Sequence, residues 1–172
     1  MKRWLLWLPL GGFLILFGLV AIGLVRPAER MVTSRLVGQP LPAITLPPLV
    51  PGHPGLDAST RGPRLVNIFA SWCVPCAVEV GELQRLRERG VVVDGIAIRD
   101  KPADLAAFLT RYGDPYRAIG SDPESRSMIA LGSSGVPESF IVDARGIIRY
   151  QHIGAIGPQD FDAVLKAYEA AR

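Results

Sequence analysis

Cys73 and Cys76 stand three residues apart, between a short apolar run and a segment of helical pattern, and no other feature limits the possible folds as much. The run at 64–70 is apolar apart from Arg64 and Asn67 and has the length of a buried strand. Residues 74–89 are predicted to follow as a helix. Val78, Leu83 and Leu86 are assigned to its inner side, and Glu82, Arg85, Arg87 and Glu88 to its wetter side. Gly90 ends it. Cys73 therefore falls at a helix mouth, where backbone N–H groups lack internal partners and the dipole end is positive. Both effects favour a thiolate, the attacking species, over a thiol of ordinary pKa near 8.5.

Cys76 is one helical turn further on. Residues i and i+3 are neighbours on a helix, so the Cα separation falls within the roughly 4.4–6.8 Å that a disulfide needs. Closing so short a loop removes little chain entropy, so stabilising the fold is not the main use of this pair. The pattern fits reversible exchange. Cys73 attacks a disulfide to give a mixed disulfide, and the more buried Cys76 attacks Cys73 to release reduced substrate. Run backwards, the pair oxidises a dithiol. Pro75 fits either helix initiation or tuning of the donors around the sulfurs. Trp72 fits either a partner contact or a shield over the site.

The chain has two cysteines and two histidines, His53 and His152. Two cysteines cannot build the disulfide framework of a small secreted fold, and no four-ligand zinc set is in sight. No metal site is assigned, and no cofactor beyond a redox-active Cys73–Cys76 disulfide. Charge excludes a further class. Of 19 basic residues, Lys2, Arg3 and Arg26 flank the N-terminal apolar segment; the other 16 match 16 acidic ones, so the remainder is neutral. A nucleic-acid partner would require a basic patch on the folded domain.

Residues 4–25 form an apolar run of 22 residues without a charge, and spanning a bilayer core takes about 20. The run exceeds the roughly 7–15 residues of a signal-peptide core, and no A-x-A-like cleavage site follows. Residues 1–26 are therefore read as an uncleaved transmembrane signal anchor, 27–37 as a linker and 38–172 as one folded domain. Lys2 and Arg3 before the run, against Arg26, Arg30 and Arg35 after it, leave the orientation undecided on charge.

Within the domain, residues 38–63 hold seven of the fifteen prolines, which excludes a long helix and predicts extended structure with loops. Strands are predicted near 91–98, 116–119, 139–142 and 147–152. Helices are predicted from Pro102 to about Tyr112, from Asp122 to about Leu131, and from Pro158 to about Ala171. The last two strands form a hairpin around Asp143-Ala144-Arg145-Gly146. Strands joined by helices require crossovers and a partly parallel sheet, and the hairpin adds antiparallel strands. The expected class is α/β, a mixed central sheet flanked by helices. Gly135-Val136-Pro137-Glu138, taken alone, reads as an ordinary turn before a strand.

The stretch from Val66 through Ser71-Trp72-Cys73-Val74-Pro75-Cys76 to Glu79 resembles the thioredoxin superfamily, and within it the DsbE/CcmG thiol:disulfide interchange proteins of cytochrome c biogenesis. Gly38-Gln39-Pro40-Leu41-Pro42, the segment from Gly95 to Asp104, Tyr112-Gly113-Asp114-Pro115-Tyr116 and Gly135-Val136-Pro137-Glu138-Ser139-Phe140 carry the same resemblance. It implies a thioredoxin fold with an N-terminal extension and an insert around 113–121. It implies a cis Pro137 that, with Val136 and Trp72, contacts substrate, and an acidic site formed by Glu79 and Glu138. Acid beside a cysteine raises its pKa and makes the pair more reducing.

The resemblance further implies a single-pass protein of the bacterial inner membrane with its catalytic domain in the periplasm. A DsbD/CcdA-type membrane protein would supply electrons. An apocytochrome c or a CcmH-like protein would be the substrate. Several residues depart from the family pattern. Asn67 stands where thioredoxins carry a buried Asp, which leaves Glu79 as the proton-handling candidate. Phe69 replaces Trp, Ile98-Arg99-Asp100 lacks a Tyr, Asp114 replaces Asn, and Ala77 replaces Arg. Competing readings are a periplasmic disulfide oxidant, a general thioredoxin-like reductase, and a copper- or zinc-carrying thioredoxin fold that recruits His53 or His152. A peroxidase would need a different cysteine setting.

Overall fold

The computed structural model describes residues 7–25 and 35–172. They fall into two units, divided near Met31. In the first, helix α1 spans Leu8–Val25, 18 residues of uniformly apolar sequence. At 1.5 Å per residue that is about 27 Å. Residues 4–6 of the apolar run and most of the expected linker lie outside the described residues. Among the described residues no helix is long and apolar enough to cross a membrane.

The second unit is built on a five-stranded sheet in the order β5-β4-β3-β6-β7. Its central strand β3, Arg64–Phe69, is buried along its whole length, as the apolar run predicts. Strand β4, Val93–Ile98, lies parallel to it, with Ile68 opposite Ile96. Strand β5, Ala118–Asp122, continues in parallel on the far side of β4. Strand β6, Glu138–Val142, runs antiparallel to β3, and β7, Ile148–Ile153, closes the hairpin with β6. The hairpin turn is held by Asp143, whose Oδ1 accepts the N–H groups of Arg145 and Ile147.

Helix α2, Val74–Glu88, crosses from β3 to β4, and α3, Pro102–Tyr112, from β4 to β5. Both crossovers are of the kind parallel neighbours require. Helix α4, Arg126–Ala130, is a short turn before the hairpin, and α5, Phe161–Ala170, closes the chain. Leu83 and Leu86 of α2 are fully buried, a burial that favours folding by about 1.5–3 kcal/mol for each such side chain. Val78 is the exception to the predicted inner face: it is exposed. The face that packs on the sheet runs through Cys76, Glu79, Val80, Leu83 and Leu86, so a carboxylate takes the inward position that polarity assigned to a valine. Arg89 caps α2, and Gly90 follows at φ 86°, a left-handed value that glycine adopts without steric cost.

The proline-rich segment has more structure than its composition predicts. Thr45–Leu46 (β1) pairs antiparallel with Leu56–Asp57 (β2). The carbonyls of Pro47 and Pro54 accept the N–H groups of Ser121 and Ile119 at 2.8 and 2.9 Å. At the opposite edge, Gly38 and Gln39 exchange backbone hydrogen bonds with Ile148 of β7. Proline has no N–H to donate but keeps its carbonyl. The segment thus satisfies sheet edges without forming a continuous strand, and it covers groups that would otherwise template pairing with another chain.

Candidate active site

Strand β3 delivers the chain directly to the cysteines. Ser71 turns it: its N–H and its hydroxyl both donate to the Asp100 carboxylate at 2.6 Å. This bond ties the β3–α2 loop to the turn after β4. Cys73 is the N-cap of α2, in extended conformation at φ −91° and ψ 109°, and its Sγ accepts the Cys76 N–H at 3.2 Å. That bond is a helix-end donor aimed at sulfur, as the placement at the helix mouth predicts. Pro75 lies in the first turn, where its missing N–H costs nothing.

The two sulfurs are joined in a disulfide with a Cα–Cα separation of 5.3 Å. Cys73 retains 6 % of its surface and Cys76 1 %, so the order of exposure is the one expected of an attacking and a resolving cysteine. The surroundings are open. Trp72 is 56 % exposed and Val74 77 %, which sets an apolar rim around the disulfide.

Glu79 is one turn beyond Cys76 on the same helix, and it is buried, with 1 % of its surface exposed. Its Oε1 accepts from Asn67 Nδ2 at 3.0 Å and its Oε2 from the Ile156 N–H at 3.1 Å. Burial raises its pKa from the ordinary 4.5 to about 7, against the pull of the Ile156 and Asn67 hydrogen bonds, which favour the carboxylate. A carboxyl with that value exchanges protons near neutral pH. Asn67 is itself held on three sides. Its amide also donates to Ser139 Oγ at 3.0 Å, and its Oδ1 accepts from the Tyr116 hydroxyl at 2.9 Å.

The Val136–Pro137 peptide bond is cis, as the resemblance implies. Pairing of Glu138 with Ile68 puts Pro137 at the carboxyl end of β3, the end that leads into Cys73. Val136 is half-buried against the core, and Pro137 is buried. Glu138 is fully buried, but its carboxylate faces its own loop and the edge strand. It accepts from Ser133 Oγ at 2.7 Å, the Ser134 N–H at 2.9 Å, Ser134 Oγ at 3.3 Å and the Gln151 amide. The two acids expected in one acidic site thus have different surroundings: Glu79 sits under α2, while Glu138 braces the loop that carries Pro137.

The histidines are engaged elsewhere. His53 Nε2 lies 2.9 Å from Asp114 Oδ2, and His152 Nε2 lies 3.3 Å from the Ala155 carbonyl. Among the described residues no group of three or more His, Cys, Asp or Glu side chains could hold a metal ion. The sequence reading missed Tyr116, Ser139 and Asp100 as members of the site. Tyr116 ends the Tyr112-Gly113-Asp114-Pro115-Tyr116 motif, but only the fold shows that its hydroxyl reaches a strand 49 residues away.

A strand–CxxC–helix junction on a mixed sheet, with a cis-proline at the adjacent strand end, defines a thioredoxin-fold thiol–disulfide oxidoreductase. Comparison with known proteins narrows this. Residues 36–166 match the Redoxin family. The DsbE thiol:disulfide interchange protein of Pseudomonas fluorescens biotype C is 39 % identical over 158 residues, 91 % of this chain and 88 % of that one. The DsbE of Allochromatium vinosum is 43 % identical over 155 residues, 88 % and 85 % of the two chains. The crystal structure of a thioredoxin-family thiol:disulfide interchange protein from Chlorobium tepidum superposes with a TM-score of 0.60 at 26 % identity, covering 76 % of this chain and 97 % of that one. The chain belongs to the DsbE family of thiol:disulfide interchange proteins.

Proposed function

We propose that this chain is a membrane-anchored reductant of the bacterial periplasm. It reduces the paired cysteines of an apocytochrome c, or a mixed disulfide on a CcmH-like protein, and it is recharged by a DsbD/CcdA-type membrane thiol donor. The observation that carries the reading is the pairing of an N-cap cysteine with a buried, near-neutral carboxyl one turn beyond its partner cysteine. The Cys73 thiolate attacks a substrate disulfide, and one substrate sulfur leaves as thiolate. The Cys76 thiol passes its proton towards Glu79 and attacks Cys73, and the second substrate sulfur leaves. The substrate gains two electrons, and the Cys73–Cys76 dithiol becomes the disulfide. Trp72, Val136 and Pro137 line the approach, with Glu138 bracing the Pro137 loop.

Direction is argued from the residues between the sulfurs. Val74 and Pro75 supply no charged donor to stabilise the reduced thiolate, which an oxidant requires. Anchoring is argued from the uncharged run at 4–25, of which residues 8–25 are helical. Equilibration with glutathione or dithiothreitol buffers tests the direction. A potential near that of thioredoxin, about −270 mV, supports the reductant, and one near DsbA, about −120 mV, makes the chain an oxidant. A Cys76→Ala variant that captures no CXXCH protein through Cys73 in cells maturing cytochrome c would remove the assigned substrate.

A further inference from the structure

The buried Glu79 carboxyl is oriented at second hand. Both amide protons of Asn67 are used, one on Glu79 Oε1 and one on Ser139 Oγ, each at 3.0 Å. An asparagine amide carries donors on one arm and an acceptor on the other, and a half-turn exchanges them. Neither Glu79 alone nor Ser139, whose hydroxyl can both donate and accept, would hold the amide through every protonation state of the acid. Tyr116 does. Its hydroxyl lies 2.9 Å from Asn67 Oδ1 and donates to it. Burial, then the Glu79 and Asp114 carboxylates, holds the Tyr116 phenol protonated, well above its ordinary pKa. In the reversed amide that phenol proton would lose its acceptor, and Oδ1 would face the carboxyl.

The Tyr116 ring is fixed in turn. It stacks on Phe69 with centroids 4.4 Å apart and planes at 21°. The stack fits because residue 95 is glycine: a Cβ there would lie 2.7 Å from Phe69 and 3.0 Å from Tyr116. Asp114 holds the backbone, accepting the Tyr116 N–H at 3.1 Å. The ionisable groups acting on this cluster are Glu79, Tyr116 and Asp114, with His53 paired to the Asp114 carboxylate at 2.9 Å and Cys76 one turn before Glu79. The other groups facing the acid are neutral: Asn67 from β3, Ser139 from β6 through Asn67, and the Ile156 N–H from the loop before α5.

We infer that Tyr116 is a positioning residue for thiol–disulfide exchange: through Asn67 it keeps an N–H donor, rather than a carbonyl oxygen, on the Glu79 carboxyl. The inference rests on the exchange reading above and adds to it the group that sets the pH range of the resolving step. In Tyr116→Phe the ring stack remains and only the hydroxyl is lost. The freed amide turns, presents Oδ1 to Glu79 and favours the protonated acid.

The test follows the Glu79 side-chain carboxyl by carbon-13 NMR across pH in the oxidised full-length protein, with the signal assigned by its absence in Glu79→Gln. Tyr116→Phe is expected to raise the midpoint by about one pH unit, a tenfold gain in proton affinity. The half-maximal pH for resolution of a Cys73 mixed disulfide moves up with it. In a Glu79→Gln background, Tyr116→Phe leaves the pH profile where it was. An unmoved Glu79 midpoint overturns the inference, and so does a profile shift that persists without Glu79. If Tyr116→Phe does not fold, Asn67→Ala removes the same donor, and an unchanged midpoint there is equally decisive. The NMR titration needs no exchange, so a moved midpoint in a chain that exchanges no disulfides would overturn the functional reading and leave the positioning role standing.

Discussion

Glu79→Gln replaces a buried carboxyl with an amide of the same shape and removes one titration from the folded state. In the unfolded chain Glu79 loses its proton near its ordinary 4.5, and in the folded protein at about 7. Between these values the unfolded state binds fewer protons than the folded one, so stability falls as pH rises. The contribution is complete below 4.5 and gone above about 7. At about 1.4 kcal/mol for each pH unit separating the two values, the wild type loses about 3 kcal/mol across the window. The glutamine variant loses none of this. Its amide cannot accept from both Asn67 and the Ile156 N–H, which adds a constant cost at every pH and does not alter the slope. Urea unfolding of the oxidised full-length protein, followed by tryptophan fluorescence from about pH 4 to pH 8, gives the two curves. Curves that converge by about 3 kcal/mol between the ends support the account. Curves that stay parallel would show that Glu79 titrates in the folded protein as it does in water.

Three further substitutions probe the supports of the site. Gly95→Ala places a methyl 2.7 Å from Phe69 and 3.0 Å from Tyr116; it should destabilise by about 1–3 kcal/mol in a denaturant titration, and a neutral result would show that the ring stack yields easily. Asp100→Ala strips both acceptors from Ser71, so thermal melting should fall by several degrees, from about 1–3 kcal/mol of unmet hydrogen bonding. Glu138→Gln keeps one accepting oxygen and replaces the other with an NH2, so it can no longer accept from both the Ser133/Ser134 donors and the Gln151 amide. Stability and insulin-reduction rate should fall together, whereas a loss of rate at unchanged melting temperature would give Glu138 a direct part in the chemistry.

Much of the fold was legible because burial leaves a plain pattern. The run at 64–70 became the central strand, and the helix after Cys73 ends within a residue of its predicted boundary. The Asp143–Gly146 hairpin also fell where turn chemistry put it. Strands near 91 and 116 shifted by about two residues, since apolar runs do not mark their own ends. The β1–β2 pair was not legible, because its partners lie ten and twelve residues apart across prolines that suppress the strand signal. Composition misplaced Val78: period alone turns a valine inward, whereas here Glu79 beside it turns in and finds Asn67 and the Ile156 N–H. The cysteines could be found from spacing and position. The Tyr116–Asn67–Glu79 chain could not, since it joins three elements through side-chain atoms, and sequence distance carries no trace of such bonds.

Alkylation of the dithiol form with iodoacetamide, with each labelled position read by mass spectrometry, bears most directly on the assignment of the two sulfurs. Cys73 should react first, and at a pH below the thiol's usual value near 8.5, while Cys76 stays protected until the protein unfolds. Equal labelling of the pair, or labelling that begins at Cys76, would contradict a nucleophile made by the helix mouth and a resolving thiol held beneath it.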